Sequence, residues 1–403
     1  MSLEILISLL ISSLVCLIVW KLDPTKAKIF SFVCLPSHFI LIFTLFNFEY
    51  VANTVSGANF TLTHKAYIST FFVEIGLIVS LVIFNFLSKK QMISKEKREL
   101  ELNVIYSKKR LDVAILLCFV VSSVALLINL NRVGFNISLM LISARSYEAT
   151  FGASWVVNYM YFLHIVTIFL LIIKKKIELR LSALCYIVGF ISIAMSFLHG
   201  IKFTIFDAIF FPFFFYISLN GLSRMTKKVG LFLIVLFILI FALFSFLVRG
   251  GGDEINLLGF LNYISPNYIN MFYLVERSEF FFAWPFDGFL ELATKKLPII
   301  RELPAVGFHL NDSYNMITGF PFLLGYFSYV GVFFYYLVCI VLIKIAENST
   351  KLISHFVSAY VMFSLFMFLY AYYLGTKPKY IYLFLVMLVA NFILKSKKDL
   401  TKK

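Results

Sequence analysis

The chain has 403 residues, of which 61% are hydrophobic and 14% are charged, and its mean hydropathy is +0.92. A water-soluble protein of this length cannot bury so much apolar surface, which excludes a set of soluble domains and favours one helical bundle facing lipid. The net charge of +15 does not indicate nucleic-acid binding, because the basic residues cluster between apolar runs and form no single stripe.

Apolar runs long enough to cross a bilayer as helices recur along the whole chain. A helix needs about 20 such residues to span the hydrocarbon core. The pattern predicts an all-α polytopic membrane protein with about eleven transmembrane helices. The predicted spans lie near 3–20, 29–47, 66–87, 111–130, 154–173, 181–198, 203–220, 229–248, 319–345, 352–373 and 380–394.

These spans divide the chain into three parts. Spans one to eight occupy 1–248, a loop domain occupies 249–318, and spans nine to eleven with a basic tail occupy 319–403. Most of the 36 lysines and arginines fall in alternate connections, which predicts that those connections are cytoplasmic. The N-terminus is then outside and the C-terminus inside; if the first run is not a span, only the N-terminus changes side.

The cysteines and the loop motifs give no sign of a cofactor. All five cysteines lie inside apolar runs without a CxxC partner, so we interpret them as small buried residues. The outer connections contain no HxxH, DxD or CxxC arrangement, and the chain has no GxxxxGK[ST] loop. We therefore expect no metal, no nucleotide and no other cofactor.

The long connection of 249–318 is unusual for an outer loop, because aromatic and aliphatic residues recur in it at helical spacing. The pattern predicts short helices lying along the membrane face. Basic residues are interleaved with the apolar ones, against the positive-inside bias. An anionic lipid headgroup is the simplest compensating partner, since arginine binds phosphate in a bidentate manner. The basic residues of this loop are Arg249, Arg277, Lys295, Lys296 and Arg301.

The same loop carries one histidine, His309, followed by a polar run. An unperturbed imidazole titrates near neutral pH and can take a proton from a sugar hydroxyl. Asp312 is a competing base, and an ordinary loop histidine is the alternative interpretation. The neighbouring polar residues that we expect to contact sugar are Asn311, Tyr314 and Asn315.

Two shorter outer connections add further basic residues. Residues 131–153 include Arg145, and the tight turn after the sixth span reads HGIK and ends with Lys202. Asp207 lies deeper in the next span, and Lys202 is imperfectly spaced to pair with it on one helix face. A carboxylate within a span tends to face an interior partner, and we expect Asp207 to be structural.

Other polar residues in the spans have simpler interpretations. Glu74 lies in mid-span and is expected to be paired inside the bundle. We interpret His38, His164 and His355 as packing or interfacial residues.

Three stretches carry a resemblance to a known family. They are the turn HGIK after a span, the loop sequence PFDGFLELATKKLPI, and the exit GFHLNDSYNMITGFPFLLGYFSYVGVFFYYL before a glycine-containing helix. Over roughly residues 110–345 the chain resembles the Wzy-type O-antigen polymerases, which join oligosaccharide repeat units in lipopolysaccharide assembly. That family often has Gly-x-Arg where this chain has Gly200 to Lys202.

The resemblance implies a fold, an activity and a location. It implies a GT-C-like lipid-linked glycosyltransferase of the bacterial inner membrane, with its active site facing the periplasm. The donor would be an undecaprenyl-diphosphate-linked oligosaccharide, and membrane lipid and a chain-length regulator would be the other partners. No metal would take part.

The resemblance also implies site residues. It gives Arg249 and Arg301 as diphosphate ligands and His309 as the base. Arg145 and Arg277 are added as further diphosphate ligands from their charge and their outer position, without a matching motif. Lys202 is added from the HGIK turn, where it departs from the arginine of the family. Solvated or interfacial charges are the alternative interpretation of each arginine.

Two other functions stay open at this point. An O-antigen ligase would share the loop chemistry and transfer the glycan to another acceptor. A lipid-linked oligosaccharide flippase would need charges distributed along spans that line a central cavity, and the spans of this chain carry few charges.

Overall fold

The computed structural model describes residues 33–34, 37–38, 40–53, 61–88, 107–139, 144–178, 180–199, 202–221, 228–230, 232–233, 235–236, 239, 266–277, 319–347, 349, 351–367 and 378–394. These residues are almost entirely helical, and no strand occurs among them, which confirms the all-α class. In chain order the helices are α1 (Phe48–Asn53), α2 (His64–Ser88), α3 (Lys108–Arg132), α4 (Ala144–Phe151), α5 (Trp155–Tyr161), α6 (Leu163–Glu178), α7 (Ala183–Phe197), α8 (Lys202–Asn220), α9 (Pro266–Arg277), α10 (Gly319–Glu347), α11 (Leu352–Met367) and α12 (Pro378–Leu394).

Three of the described helical stretches are long and apolar enough to cross a membrane. They are Lys108–Arg132, Trp155–Glu178 and Phe203–Asn220, and the second comprises α5 and α6. Shorter apolar stretches lie in α7, α10, α11 and α12. These helices coincide with predicted spans, and the protein is membrane-embedded. The total of eleven spans and the GT-C-like architecture stay predictions.

The side chains of α3 have the distribution expected of a helix beside lipid. Leu116 and Leu117 are 62% exposed, while the polar Ser122 and Asn129 are fully buried. In water this arrangement would be unfavourable, because exposed apolar surface costs free energy. In a bilayer it is favourable, since polar groups then lie inside the bundle and apolar groups contact hydrocarbon.

The chain forms two compact units, each built from three stretches of sequence. Unit 1 consists of Met1–Gln91, Asn256–Lys344 and Val361–Pro378, and its described helices are α1, α2, α9, most of α10 and the second half of α11. Unit 2 consists of Met92–Ile255, Ile345–Tyr360 and Lys379–Lys403, and it contains α3 to α8, the first half of α11 and nearly all of α12.

In unit 1, helix α9 belongs to the loop of 249–318 and packs against α1 and α2. The predicted helical character of this part of the loop is confirmed. Its apolar side is buried, and the rings of Phe48 and Phe272 meet edge to face at 6.2 Å. At its end, both carboxylate oxygens of Glu276 accept hydrogen bonds from Thr63, at 2.8 Å from the backbone N–H and 2.7 Å from the hydroxyl. Lys65 donates to the Glu276 carbonyl at 3.3 Å, so the end of α9 is fixed to the start of α2.

In unit 2, helix α6 lies against α3, α7 and α8, and aromatic rings fill the interior. Phe169 is fully buried and meets Phe211 at 4.8 Å, Phe215 at 4.9 Å and Phe356 at 5.2 Å between ring centroids. Such edge-to-face contacts add to the packing energy of rings. A rigid aromatic centre therefore separates the two ends of the unit.

The start of α3 and the ends of α6 and α12 lie at one end of unit 2, which we call the Lys174 end. Lys174 forms ion pairs with Asp112 and with Glu178. The N–H of Ser107 donates to the carbonyl of Leu394 at 2.9 Å. These contacts join connections that the charge pattern assigns to one side of the membrane.

Candidate functional site

Most of the site residues predicted from the sequence lie outside the described residues. This holds for the proposed bases and for the arginines and sugar contacts of the same loop: His309, Asp312, Arg249, Arg301, Asn311, Tyr314 and Asn315. Their roles stay predictions.

The remaining three predicted ligands are placed by their backbone. Arg277 is the last residue of α9 in unit 1, directly after the fixed Glu276. Arg145 is the second residue of α4 and Lys202 the first of α8, and both belong to unit 2. The structure therefore places Arg145 and Lys202 in the same unit.

Helix α4 is tied to the turn that precedes α8. The hydroxyl of Tyr147 donates to the carbonyl of Leu198 at 2.7 Å. The ring of Phe151 meets the ring of His199 edge to face at 5.2 Å. Tyr147 and Phe151 are fully buried. The segment that carries Arg145 is thus held against the turn that leads to Lys202, and we call this end of unit 2 the Lys379 end.

Lys379 joins the same end through a buried carboxylate. Asp207 in α8 is fully buried, its Oδ2 pairs with the ammonium of Lys379, and its Oδ1 accepts from the Tyr380 hydroxyl at 2.6 Å. The side chain of Lys379 is 18% exposed, and its ammonium lies 5.7 Å from the centre of the Phe162 ring. The expectation that Asp207 has an interior partner is confirmed, and that partner is Lys379.

His199 is enclosed at the Lys379 end and is 3% exposed. Its Nε2 lies 3.3 Å from Oδ1 of Asn158, and its Nδ1 lies 3.4 Å from Oγ1 of Thr204. The ring of Tyr161 stacks on it at 5.5 Å. Burial, with a smaller effect of the Lys379 charge, lowers the pKa of His199 to about 3. The imidazole is therefore neutral at physiological pH, and its enclosure suits it to positioning other groups.

His164, the second residue of α6, is also enclosed. Its Nδ1 lies 2.7 Å from the carbonyl of Tyr161, which can only accept, so Nδ1 carries the proton. Its Nε2 lies 3.0 Å from the hydroxyl of Ser196, which donates to it when the ring is neutral. The interpretation of His164 as a packing residue is consistent with its full burial.

The Lys379 end therefore gathers three basic positions: Arg145, Lys202 and Lys379. Sequence reasoning missed Lys379, although its place at the outer start of the last span was a usable signal. A lysine beside a buried aspartate and two aromatic rings is held in a defined position, unlike a solvated loop charge.

A second buried polar group occurs in unit 1, where Glu74 lies 2.6 Å from His38. The expected pairing of Glu74 inside the bundle is confirmed. His38 also hydrogen-bonds to the Tyr336 hydroxyl, so it belongs to a polar network and is more than the packing residue that we expected. Among the described residues there is no group of three or more His, Cys, Asp or Glu side chains that could hold a metal ion.

No family model, no curated protein and no solved structure matches this chain, so its function has to be inferred from its residues and their geometry.

Proposed function

We propose that the protein is an O-antigen polymerase, which joins undecaprenyl-diphosphate-linked oligosaccharide repeat units at the periplasmic face of the bacterial inner membrane. The observation that carries the proposal is the gathering of Arg145, Lys202 and Lys379 at one end of unit 2. These residues come from connections that the charge pattern assigns to the outer side. Basic residues at that side of a membrane suit a lipid-linked diphosphate.

The chemistry needs no nucleotide, because the substrate carries its own leaving group. A hydroxyl of the acceptor repeat unit attacks the anomeric carbon of the growing chain, and the bond from that carbon to the diphosphate oxygen breaks. His309 or Asp312 takes the hydroxyl proton, and undecaprenyl diphosphate leaves. In this scheme the basic side chains neutralise the charge that develops on the diphosphate, so no metal is required.

Helix α9 of unit 1 carries Arg277, which is proposed separately as a diphosphate ligand. Its end is fixed through Thr63 and Glu276, and Arg277 follows at once. A cation on a fixed helix end loses less conformational entropy on binding than one on a free loop. Arg277 is therefore a better diphosphate ligand than its lack of a sequence motif suggests.

The test is the lipopolysaccharide banding pattern of a deletion strain complemented with variants. We expect the deletion to leave a single repeat unit on the core and the wild-type gene to restore the ladder. Arg145→Ala and Lys202→Ala should shorten or abolish the ladder. The matched control is Lys109→Ala, which removes an exposed cation at the Lys174 end and should leave the ladder intact.

Each contrary pattern has a definite meaning. Bare core in the deletion strain would assign the protein to the ligase or flippase class. A full ladder in the deletion strain would reject all three functions. Normal ladders from both variants, beside a defective deletion strain, would reject the proposed diphosphate site while keeping the polymerase.

A further inference from the structure

The buried polar group of unit 1, which lies in segments that the sequence predicts to span the membrane, is a continuous chain of three titratable side chains. Nδ1 of His38 lies 2.6 Å from Oε1 of Glu74, and Nε2 of His38 lies 2.8 Å from the hydroxyl of Tyr336. His38 is 2% exposed, Glu74 is 3% exposed and Tyr336 is 1% exposed. Ionisable groups at such depth are costly in a membrane, and they tend to mark proton or ion pathways.

The hydrogen-bonded chain of side chains joins three separate segments of the sequence. His38 precedes the helical residues 40–46, Glu74 lies in α2 and Tyr336 lies in α10. Close packing of α2 on α10 makes this meeting possible. A Cβ atom at Gly76 would lie 3.8 Å from the backbone of Phe333, which is ordinary contact, so the helices approach closely beside Glu74.

The surrounding titratable groups are thiols and phenols. Cys34, ahead of the helical residues 40–46, Cys339 in α10 and Tyr268 in α9 interact electrostatically with Tyr336, in addition to Glu74. Thiols and phenols are uncharged at neutral pH by their ordinary pKa values. These neighbouring side chains therefore add no charge to the group of Glu74, His38 and Tyr336.

The hydrogen-bonded chain of Glu74, His38 and Tyr336 can exist in two protonation states that differ by one proton, and both states keep its two hydrogen bonds. In the first state the Glu74 carboxylate accepts from Nδ1–H, and the Tyr336 hydroxyl donates to Nε2, giving a net charge of minus one. With one proton added to Nε2, the ring donates to both partners and the net charge is zero. The bond between His38 and Tyr336 then reverses, and the Tyr336 hydroxyl oxygen accepts from Nε2–H.

We propose that Glu74, His38 and Tyr336 form an intramembrane proton-binding site in unit 1, which takes up one proton and reports it through the direction of the Tyr336 hydrogen bond. The ligand is a proton, and the site does not depend on the glycosyltransferase proposal. Both hydrogen bonds survive the uptake, so the three segments stay joined while the charge between them changes.

The experiment follows the His38 ring nitrogens by NMR in the full-length protein, labelled with nitrogen-15 histidine and reconstituted in lipid. His38→Gln identifies the His38 signals in the spectrum of the wild type. We expect these signals to change with pH across the range in which the protein stays folded. In Glu74→Gln the midpoint should move to lower pH, because a carboxylate that favours the imidazolium is lost.

Two further variants test the hydrogen bond to Tyr336 and provide a control in unit 2. Tyr336→Phe removes only the hydroxyl, and we expect it to alter the Nε2 signal while Nδ1 keeps its partner. Asp207→Asn removes a buried carboxylate in unit 2, so it serves as the matched control with an unchanged His38 midpoint.

Three outcomes would overturn the proposal. They are His38 signals that stay constant with pH, a midpoint in Glu74→Gln equal to that of the wild type, or an equal shift in Asp207→Asn. Glu74→Gln keeps an oxygen that can accept from Nδ1–H, so the variant retains one bond of the chain and its fold can be checked by thermal unfolding.

Discussion

Replacing Lys379 with methionine removes the cation that faces the buried carboxylate of Asp207. Asp207 is fully buried, and after the change it keeps the Tyr380 hydroxyl at 2.6 Å as a partner. Removing one partner of a buried ion pair costs about 3–5 kcal/mol, because an uncompensated charge is left behind. Since Tyr380 remains and the Lys379 side chain is 18% exposed, we expect the lower end of that range, about 3 kcal/mol.

The assay is the free energy of unfolding of the purified protein in mixed micelles, measured by titration with a denaturing detergent. Combining Lys379→Met with Asp207→Asn removes both charges, and the amide oxygen can still accept from Tyr380. The double variant should therefore recover at least half of the loss. Lys108→Met, an exposed lysine at the other end of unit 2, should change stability by less than about 0.5 kcal/mol. The reasoning is refuted if Lys379→Met matches the wild type, or if the double variant is no more stable than Lys379→Met alone.

Three more predictions follow from single contacts. Thr63→Val removes the hydroxyl that donates to Glu276 at 2.7 Å, so it should cost about 1 kcal/mol or more and speed proteolysis near α9, while Thr63→Ser should not. Because the folded-state pKa of His199 is about 3, below the unfolded value of 6.5, its stabilising contribution is present above pH 6.5 and is lost as pH falls towards 3. Thermal unfolding should show a lower Tm on acidification, with a shallower decline in His199→Gln. Gly76→Ala should be tolerated, whereas Gly76→Leu should lower the Tm, because Phe333 leaves no room for a long side chain.

The controls for these three predictions lie in the same molecule. Equal proteolysis of Thr63→Val and Thr63→Ser would show that the hydroxyl bond contributes nothing to the docking of α9. A His199→Gln variant with the same pH profile as the wild type would assign the acid sensitivity to other groups. If Gly76→Leu matched Gly76→Ala in Tm, α2 and α10 would not be in close contact at this position.

The sequence alone determined the helical, membrane-embedded character of the chain. The thickness of the hydrocarbon layer sets the length of an apolar run, and the backbone groups inside that layer form their hydrogen bonds within a helix because no water is available. It also predicted that Glu74 and Asp207 would have interior partners, since an isolated charge in a span is too costly. Both expectations hold in the described residues.

The identity of those partners was decided only by the tertiary structure. Asp207 pairs with Lys379, 172 residues away in sequence. His38 contacts Tyr336 across 298 residues. No local pattern encodes such contacts, because helix periodicity fixes which residues share a face but not which helix lies opposite. The packing of whole helices within each unit decides it, and so decides which polar groups meet.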